Sequence, residues 1–234
     1  FESRVYHRNG IRFDDRAVIF DIGANIGLFS LYASRQCHQP QIHAFEPAPP
    51  VFRLLQDNLA ANAVEAHLLN CGISDASGAR QLTFYPLSTG MSSFHADRQQ
   101  EQEVLHAIML NQQQQGMPGM DEVMDWADQI LEQRFQALDF ECRMVTVSEV
   151  MRERGLARIA LMKIDVQKCE LEVLQGIDDE HWPAIRQIVI EVHDLDGRVA
   201  QVAAMLRQRG YEVVVEQELL YRSSNISNLY AIRP

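Results

Sequence analysis

The stretch that most constrains the fold runs from Ala17 to Gly27, AVIFDIGANIG. AVIFD is a short, nearly continuous apolar run ending in an acid, the pattern of a strand buried on both faces of a parallel sheet. Glycines at positions 23 and 27 then mark a sharp turn, and LFSLYASRQ follows with helical spacing, placing Leu28, Leu31 and Tyr32 on one face. Strand, glycine turn and helix form half of a βαβ unit, which demands a parallel sheet with helices packed on it.

The rest of the chain repeats this alternation with one interruption. QIHAFE (41–46) reads as a second strand, and Pro47, Pro49 and Pro50 lead into the helix VFRLLQDNLAAN, with Val51, Leu54, Leu55 and Leu59 inward and a break at Asn62. AHLLNCGI (66–73) is a third strand closed by the turn residues Ser74, Asp75 and Gly78, and RQLTFYPL is an extra strand or hairpin arm. Beyond Ser88 the alternation stops until about Arg143. This insertion, about 88–142, is read as two helices joined at a Gly116–Gly119 break, with Val123, Trp126, Ile130 and Phe135 near one stripe. A helix after Thr146, the strand IALMKIDV, the helix CELEVLQGI, the strand QIVIEVHD and the helix VAQVAAMLRQRG follow. YEVVVEQE and NLYAIRP end the chain as adjacent antiparallel strands. The expectation is an α/β fold: one doubly wound, mostly parallel, Rossmann-like seven-stranded sheet, a single domain over 1–234, with a helical insertion as a lid.

The turn Asp21-Ile22-Gly23-Ala24-Asn25-Ile26-Gly27 lets a ligand press against the main chain at a helix start. A dinucleotide loop would want glycine at position 25 for its pyrophosphate. Asn25 stands there, which disfavours a nicotinamide oxidoreductase. S-adenosylmethionine has no phosphate but carries a sulfonium cation, an amino-acid head and a ribose, so acids and amides suit it better. Asp21 is one acid, and Glu46 is the acid at the end of the next strand where ribose hydroxyls are bound, 19 residues past Gly27 against an expected spacing of about 20. Cys71, Gly72 and Ile73, at the end of the third strand, would lie beside the adenine. A glycine turn and an acidic strand end are also general features of doubly wound folds.

Asp165, in KIDV, ends the next regular strand and falls in the crevice where such sheets bind ligands, although a helix N-cap is the plainer role for it. Glu191 and His193 alternate along IVIEVHD. His193 is the natural acceptor of a hydroxyl proton, with Glu191 orienting it or raising its basicity. An alternative puts Mg²⁺ on Asp165 and Asp194, but Asp194 alternates away from His193.

With DIGANIG, FEP, NCGISD, KIDV and IVIEVHD in this order, the chain resembles the FkbM family of S-adenosylmethionine-dependent methyltransferases over nearly its whole length. The resemblance implies a class I methyltransferase fold, cofactor contacts from Asp21, Gly23, Ala24, Asn25, Glu46 and the Cys71-Gly72 strand end, and an active-site Asp165. GMSSF (90–94) also resembles a family feature and brings Ser92 or Ser93 near the cofactor. Two departures stand out. Many members follow the Asp with Val-Glu-Gly where this chain has Val166-Gln167-Lys168, and the insertion is long. Both look like the O-methyltransferase domains of modular polyketide and peptide synthases. That likeness implies an acceptor hydroxyl or enol on an acyl chain tethered to an acyl carrier protein, flanking synthase domains as partners, and S-adenosylhomocysteine as product. A free small molecule or sugar hydroxyl as acceptor, or a non-catalytic scaffold role, are the alternatives.

Composition serves mainly to exclude. A net charge of −11 without a Lys/Arg cluster argues against nucleic acid. The cysteines Cys37, Cys71, Cys142 and Cys169 show no paired spacing, as expected of reduced thiols in the cytoplasm and not of a zinc site. No leader pattern and no apolar run near 18 residues supports export or a membrane span. Phe1 in place of an initiator Met suggests a piece of a longer polypeptide or a processed start.

Overall fold

The computed structural model describes residues 5–222 and 224–234; Phe1 lies outside them. The first βα unit is β1 (Val18–Ile22) and α1 (Leu28–Ala33), and the second is β2 (Gln41–Phe45) and α2 (Pro49–Ala61). β3 (Ala66–Leu69), β4 (Gly72–Ile73) and β5 (Gly78–Phe84) lead to the insertion helices α3 (Arg98–Gln114), α4 (Met120–Asp125) and α5 (Ala127–Arg134). After them come β6 (Leu138–Val145), α6 (Val147–Arg154), β7 (Leu161–Ile164), α7 (Glu170–Gln175), β8 (Gln187–His193), α8 (Arg198–Gln208), β9 (Glu212–Glu216) and β10 (Ile226–Ile232).

The main sheet has seven strands in the order β3-β2-β1-β7-β8-β10-β9. The first five are parallel, and β10 runs antiparallel between β8 and β9, so the final antiparallel pair stands as the sequence predicts. Alternate residues of β1 feed opposite layers, as a strand's two-residue period requires. Phe20 and Ile22 pack with Val150, Val173 and Leu206 of α6, α7 and α8; Ile19 packs with Phe29, Ala33, Leu55 and Leu59 of α1 and α2. Each of these side chains other than Ala33 contributes about 1.5–3 kcal/mol on leaving water. The chain order reverses between β1 and β7, and that switch point opens the crevice that holds the site.

The structure departs from the pattern in four places. AHLLNCGI is not one strand: Asn70 turns out of the ladder, donating from Nδ2 to the Glu46 and Pro47 carbonyls at 2.8 and 3.0 Å. Gly72-Ile73 then joins a second sheet of order β4-β6-β5, where a Cβ on Gly72 would lie 2.6 Å from Cε of Met144. Second, ordered strand resumes at Leu138, not Arg143, because β6 pairs antiparallel with all of β5. RQLTFYPL is thus a hairpin arm, and the insertion hangs between its two arms. Third, the insertion has three helices, since the chain breaks at Trp126, which caps both α4 and α5. That break shifts the helical phase, so Ala127, Leu131 and Phe135 pack with Tyr85, Met109 and Met120 while Trp126 is 60% exposed. Fourth, α1 buries Phe29 and Ala33, not Leu28, and Leu54 of α2 likewise faces solvent.

Thr146 makes a capping box with Glu149 that starts α6. His43 on β2 stacks on its cross-strand neighbour His67, ring centroids 4.6 Å apart, and neither ring nitrogen of His43 has a partner. Burial first, then the neighbouring His67, pulls its pKa down to about 4. The four cysteines are free, and among the described residues no helix is long and apolar enough to cross a membrane.

Candidate active site

The turn after β1 is drawn across the sheet by its own backbone. The N–H groups of Gly23 and Ala24 both donate to the Phe45 carbonyl, at 3.1 and 2.9 Å. On the other side the Asp165 N–H donates to the Ile22 carbonyl at 3.0 Å. Gly23 sits at φ +74°, and a Cβ there would fall 1.9 Å from the Asp165 carbonyl oxygen, so only glycine passes between the two loops.

Glu46, at the end of β2, is buried and joins this turn. Its Oε2 accepts the Asn25 N–H at 2.9 Å and its Oε1 accepts the Ala48 N–H at 2.9 Å. Burial pushes its pKa up to about 7 against the pull of those two bonds. Each carboxylate oxygen keeps a further acceptor position. Asn25 Oδ1 is buried without a hydrogen-bond partner beside it.

Beneath the turn lies an ion cluster whose central residue the sequence reading missed. Lys163 Nζ donates to the Gly23 carbonyl at 2.7 Å and stands 3.3 Å from Asp21 Oδ1 and 3.6 Å from Asp165 Oδ2. Burial alone would lower the lysine pKa, but the Asp21 and Asp165 carboxylates outweigh it and raise it. Asp21, with Oδ2 accepting the Ser30 hydroxyl at 2.6 Å, is fully buried and braces the turn from below. A single Lys flanked by apolar residues in IALMKIDV was the available signal, because a lysine inside a buried strand needs an acid beside it.

A cavity of about 410 Å³ opens above the cluster, within the range of small-molecule sites. Of the expected residues, Gly23, Asn25 and Glu46 line one side, Cys71, Gly72 and Ile73 another, and Asp165 and Glu191 the end near β7 and β8. Ser92 lines it from the segment that opens the insertion, and Leu105, Ile108 and Arg134 close it from α3 and α5. Asp21, Ala24, Ser93 and His193 are not in the wall. Ser93 instead donates from Oγ to the Gln167 carbonyl at 2.7 Å. Asp165 does not cap α7, a position taken by Cys169.

His193 has a hydrogen-bond partner other than the expected Glu191. Its Nδ1 lies 2.6 Å from Oε1 of Glu170, and the residue is 2% exposed. Packing of α7 against β8 brings Glu170, the first residue of that helix, under the strand end, and Arg198 approaches Glu170 Oε2 at 3.2 Å. Burial would raise the Glu170 pKa, but the His193 hydrogen bond and backbone N–H groups lower it below the ordinary value. Glu191 remains in the cavity wall, and burial followed by the nearby Asp165 charge raises its pKa well above the carboxylate range. Tyr6 and Tyr221 complete that end.

Asp194, a ligand in the metal alternative, is exposed and accepts the Val199 N–H at 3.0 Å near the start of α8. Among the described residues, His95, Cys169 and Glu172 bring metal-type donor atoms within 4.8 Å of one another, but Glu172 is already held by Arg80, His95 and Ser74. The cavity fits S-adenosylmethionine on its donor set. It offers carboxylates and an unpartnered amide oxygen for hydroxyl and ammonium groups, apolar walls at Ile73 and Leu82 for a base, and no glycine at position 25 for a phosphate.

The model of the methyltransferase FkbM domain matches residues 21–213. The chain is 41% identical to the 31-O-demethyl-FK506 methyltransferase FkbM of Streptomyces tacrolimicus, over all of this chain and 87% of that protein. It is 39% identical to the AMB antimetabolite synthetase AmbE of Pseudomonas aeruginosa, over all of this chain but only 11% of that protein. Among solved structures, the methyltransferase FkbM from Methylobacillus flagellatus superposes with a TM-score of 0.56 at 14% identity, over 97% of this chain and 46% of that one. SMU.1697c from Streptococcus mutans, in complex with SAH, gives 0.51 at 9% identity over 95% and 92%. At such identities these two establish the shared fold.

Proposed function

The chain belongs to the FkbM family of methyltransferases, and we propose that it acts as one domain that binds S-adenosylmethionine in this cavity and methylates a hydroxyl or enol oxygen of an acyl chain held on an acyl carrier protein. The observation that carries the reading is the cavity at the sheet's switch point, with Glu46 and Asn25 at one end, Asp165 and Glu191 at the other, and the helical insertion as its lid.

Bound there, S-adenosylmethionine supplies a methyl group activated by its positive sulfur. Glu46 would hold the ribose hydroxyls on its remaining lone pairs, Asn25 Oδ1 would take an ammonium or hydroxyl donor, and Ile73 with the Cys71-Gly72 backbone would flank the adenine. Asp165, fixed by Lys163 and by the Ile22 carbonyl, sets the negative potential where the cation sits. Glu191 accepts the proton of the acceptor hydroxyl, because it is in the wall and burial raises its pKa, which makes its ionised form a stronger base than an ordinary carboxylate. His193, engaged with Glu170, supports the strand end. The lid of α3 to α5 excludes water from the transfer.

The tethered acceptor is supported by the relative in which a segment matching this whole chain forms a small part of a synthetase. A free small-molecule acceptor is the second reading, supported by the relative named for its action on 31-O-demethyl-FK506. Intact-protein mass spectrometry of hydroxyacyl carrier proteins, incubated with enzyme and donor, tests the first. A methylene-sized gain on the carrier is expected. Methylation confined to the corresponding free alcohols would transfer the assignment to the second, and no gain on either would end both.

A further inference from the structure

Lys168 occupies a backbone conformation that lysine rarely adopts. It lies at φ +72°, directly after Gln167 at φ +42°, in the left-handed region that favours glycine. Its side chain runs into the protein and is 6% exposed. The ammonium sits 3.0 Å from Oε1 of Glu101, which is 2% exposed and belongs to the first turn of α3. The same carboxylate accepts the Tyr85 hydroxyl on Oε2 at 2.9 Å and the Asp97 N–H on Oε1 at 3.0 Å, and Nζ of Lys168 also reaches the His95 carbonyl at 3.5 Å. The backbone of Lys168 is held as firmly: its N–H donates to Glu170 Oε1 at 2.9 Å and its carbonyl accepts Arg198 Nη1 at 2.5 Å.

The two ends of this pair belong to opposite walls of the cavity. Asp165, Val166 and Gln167, the residues leading into Lys168, line it from the sheet, while Leu105 and Ile108 line it from the lid. Glu101, Leu105 and Ile108 stand at i, i+4 and i+7 on one face of α3, so whatever fixes Glu101 fixes the apolar stripe over the cavity. We infer that the buried Lys168–Glu101 pair is a latch that locks α3 onto the Asp165 loop, making Lys168 a positioning residue for methyl transfer. A buried pair is costly to leave half-made, so the lid seats in one register or detaches.

The inference takes the proposed methyl-transfer site as its premise, and the two are tested apart. Calorimetry of the unaltered chain with S-adenosylhomocysteine tests the site; hydrogen exchange of α3 tests the latch. Lys168→Gly removes the ammonium while easing the backbone, so without a latch it would be neutral or protective. With the latch, Lys168→Gly and Glu101→Gln should each speed exchange over residues 98–114 by about tenfold, and the double variant no further, as coupled partners behave. Lys168→Arg should restore protection, and the single variants should raise the acceptor KM more than they lower kcat. Wild-type protection in Lys168→Gly, multiplied effects in the double variant, or equal loss of protection in β1 and β7, the signature of general unfolding, would each overturn it.

Discussion

Oε2 of Glu46 accepts the backbone N–H of Asn25 at 2.9 Å, so the carboxylate assigned to the donor's ribose also fastens the end of β2 to the turn after β1. Glu46→Gln should therefore weaken S-adenosylhomocysteine binding by roughly ten- to a hundredfold, as expected for a lost charged hydrogen bond worth about 1.5–3 kcal/mol. The pKa of Glu46 is raised from 4.5 to about 7, and hydroxyl donors favour the ionised form. Affinity should climb as pH rises through about 7 and level off above, and Glu46→Gln should flatten that rise in calorimetric titrations. The group's own contribution to folding has the opposite sense: it is complete below about 4.5 and lost as pH rises through about 7.

Glu191 and His193 separate by kinetics. Glu191→Gln should lower kcat by about 10²–10⁴-fold, the usual scale of general-base help, and abolish the acidic limb of the pH–rate profile. His193→Gln should act mainly on stability, by about 1–3 kcal/mol, through the loss of its bond to buried Glu170. Single-turnover rates and urea denaturation of both variants check the assignment; a larger kcat loss in His193→Gln would return the base role to histidine.

Gly23→Ala must place a methyl against the Asp165 carbonyl and hold alanine at φ +74°. The strained backbone alone costs about 1–2 kcal/mol, and the clash adds to it. A lowered Tm together with loss of S-adenosylhomocysteine binding is expected. Normal binding in this variant would show that the two loops do not need to meet so closely.

His43 makes the fold sensitive to acid. Its pKa falls from 6.5 to about 4 in the folded chain, so between those values only the unfolded chain takes the proton. The stability it leaves intact above 6.5 is lost as pH falls, by about 2 kcal/mol between about pH 7 and about pH 5. His43→Leu should show a shallower loss in denaturant titrations at the two pH values.

Local pattern carried far into this fold. AVIFD, the glycines at 23 and 27, and Glu46 at its strand end could be read in order because each is a short-range device: a buried strand, a turn and a residue placed by the strand's two-residue period. The strand from Leu138 escaped notice because LDFECRMV alternates weakly and becomes a strand by pairing with β5, across an insertion of some fifty residues. The helical period that points Trp126 inward is interrupted by the break at Trp126 itself.

The amino-acid sequence by itself determined the parallel sheet, the placement of Gly23, Asn25 and Glu46 at its lip, and the family. Tertiary structure decided which acids meet which basic side chains. Lys163 joins Asp21 to Asp165, Glu170 takes His193, and Glu101 takes Lys168 from 67 residues away. Backbone periodicity sets the direction of a side chain within its own element, whereas a buried charge is satisfied by whatever the packing of distant elements brings within reach.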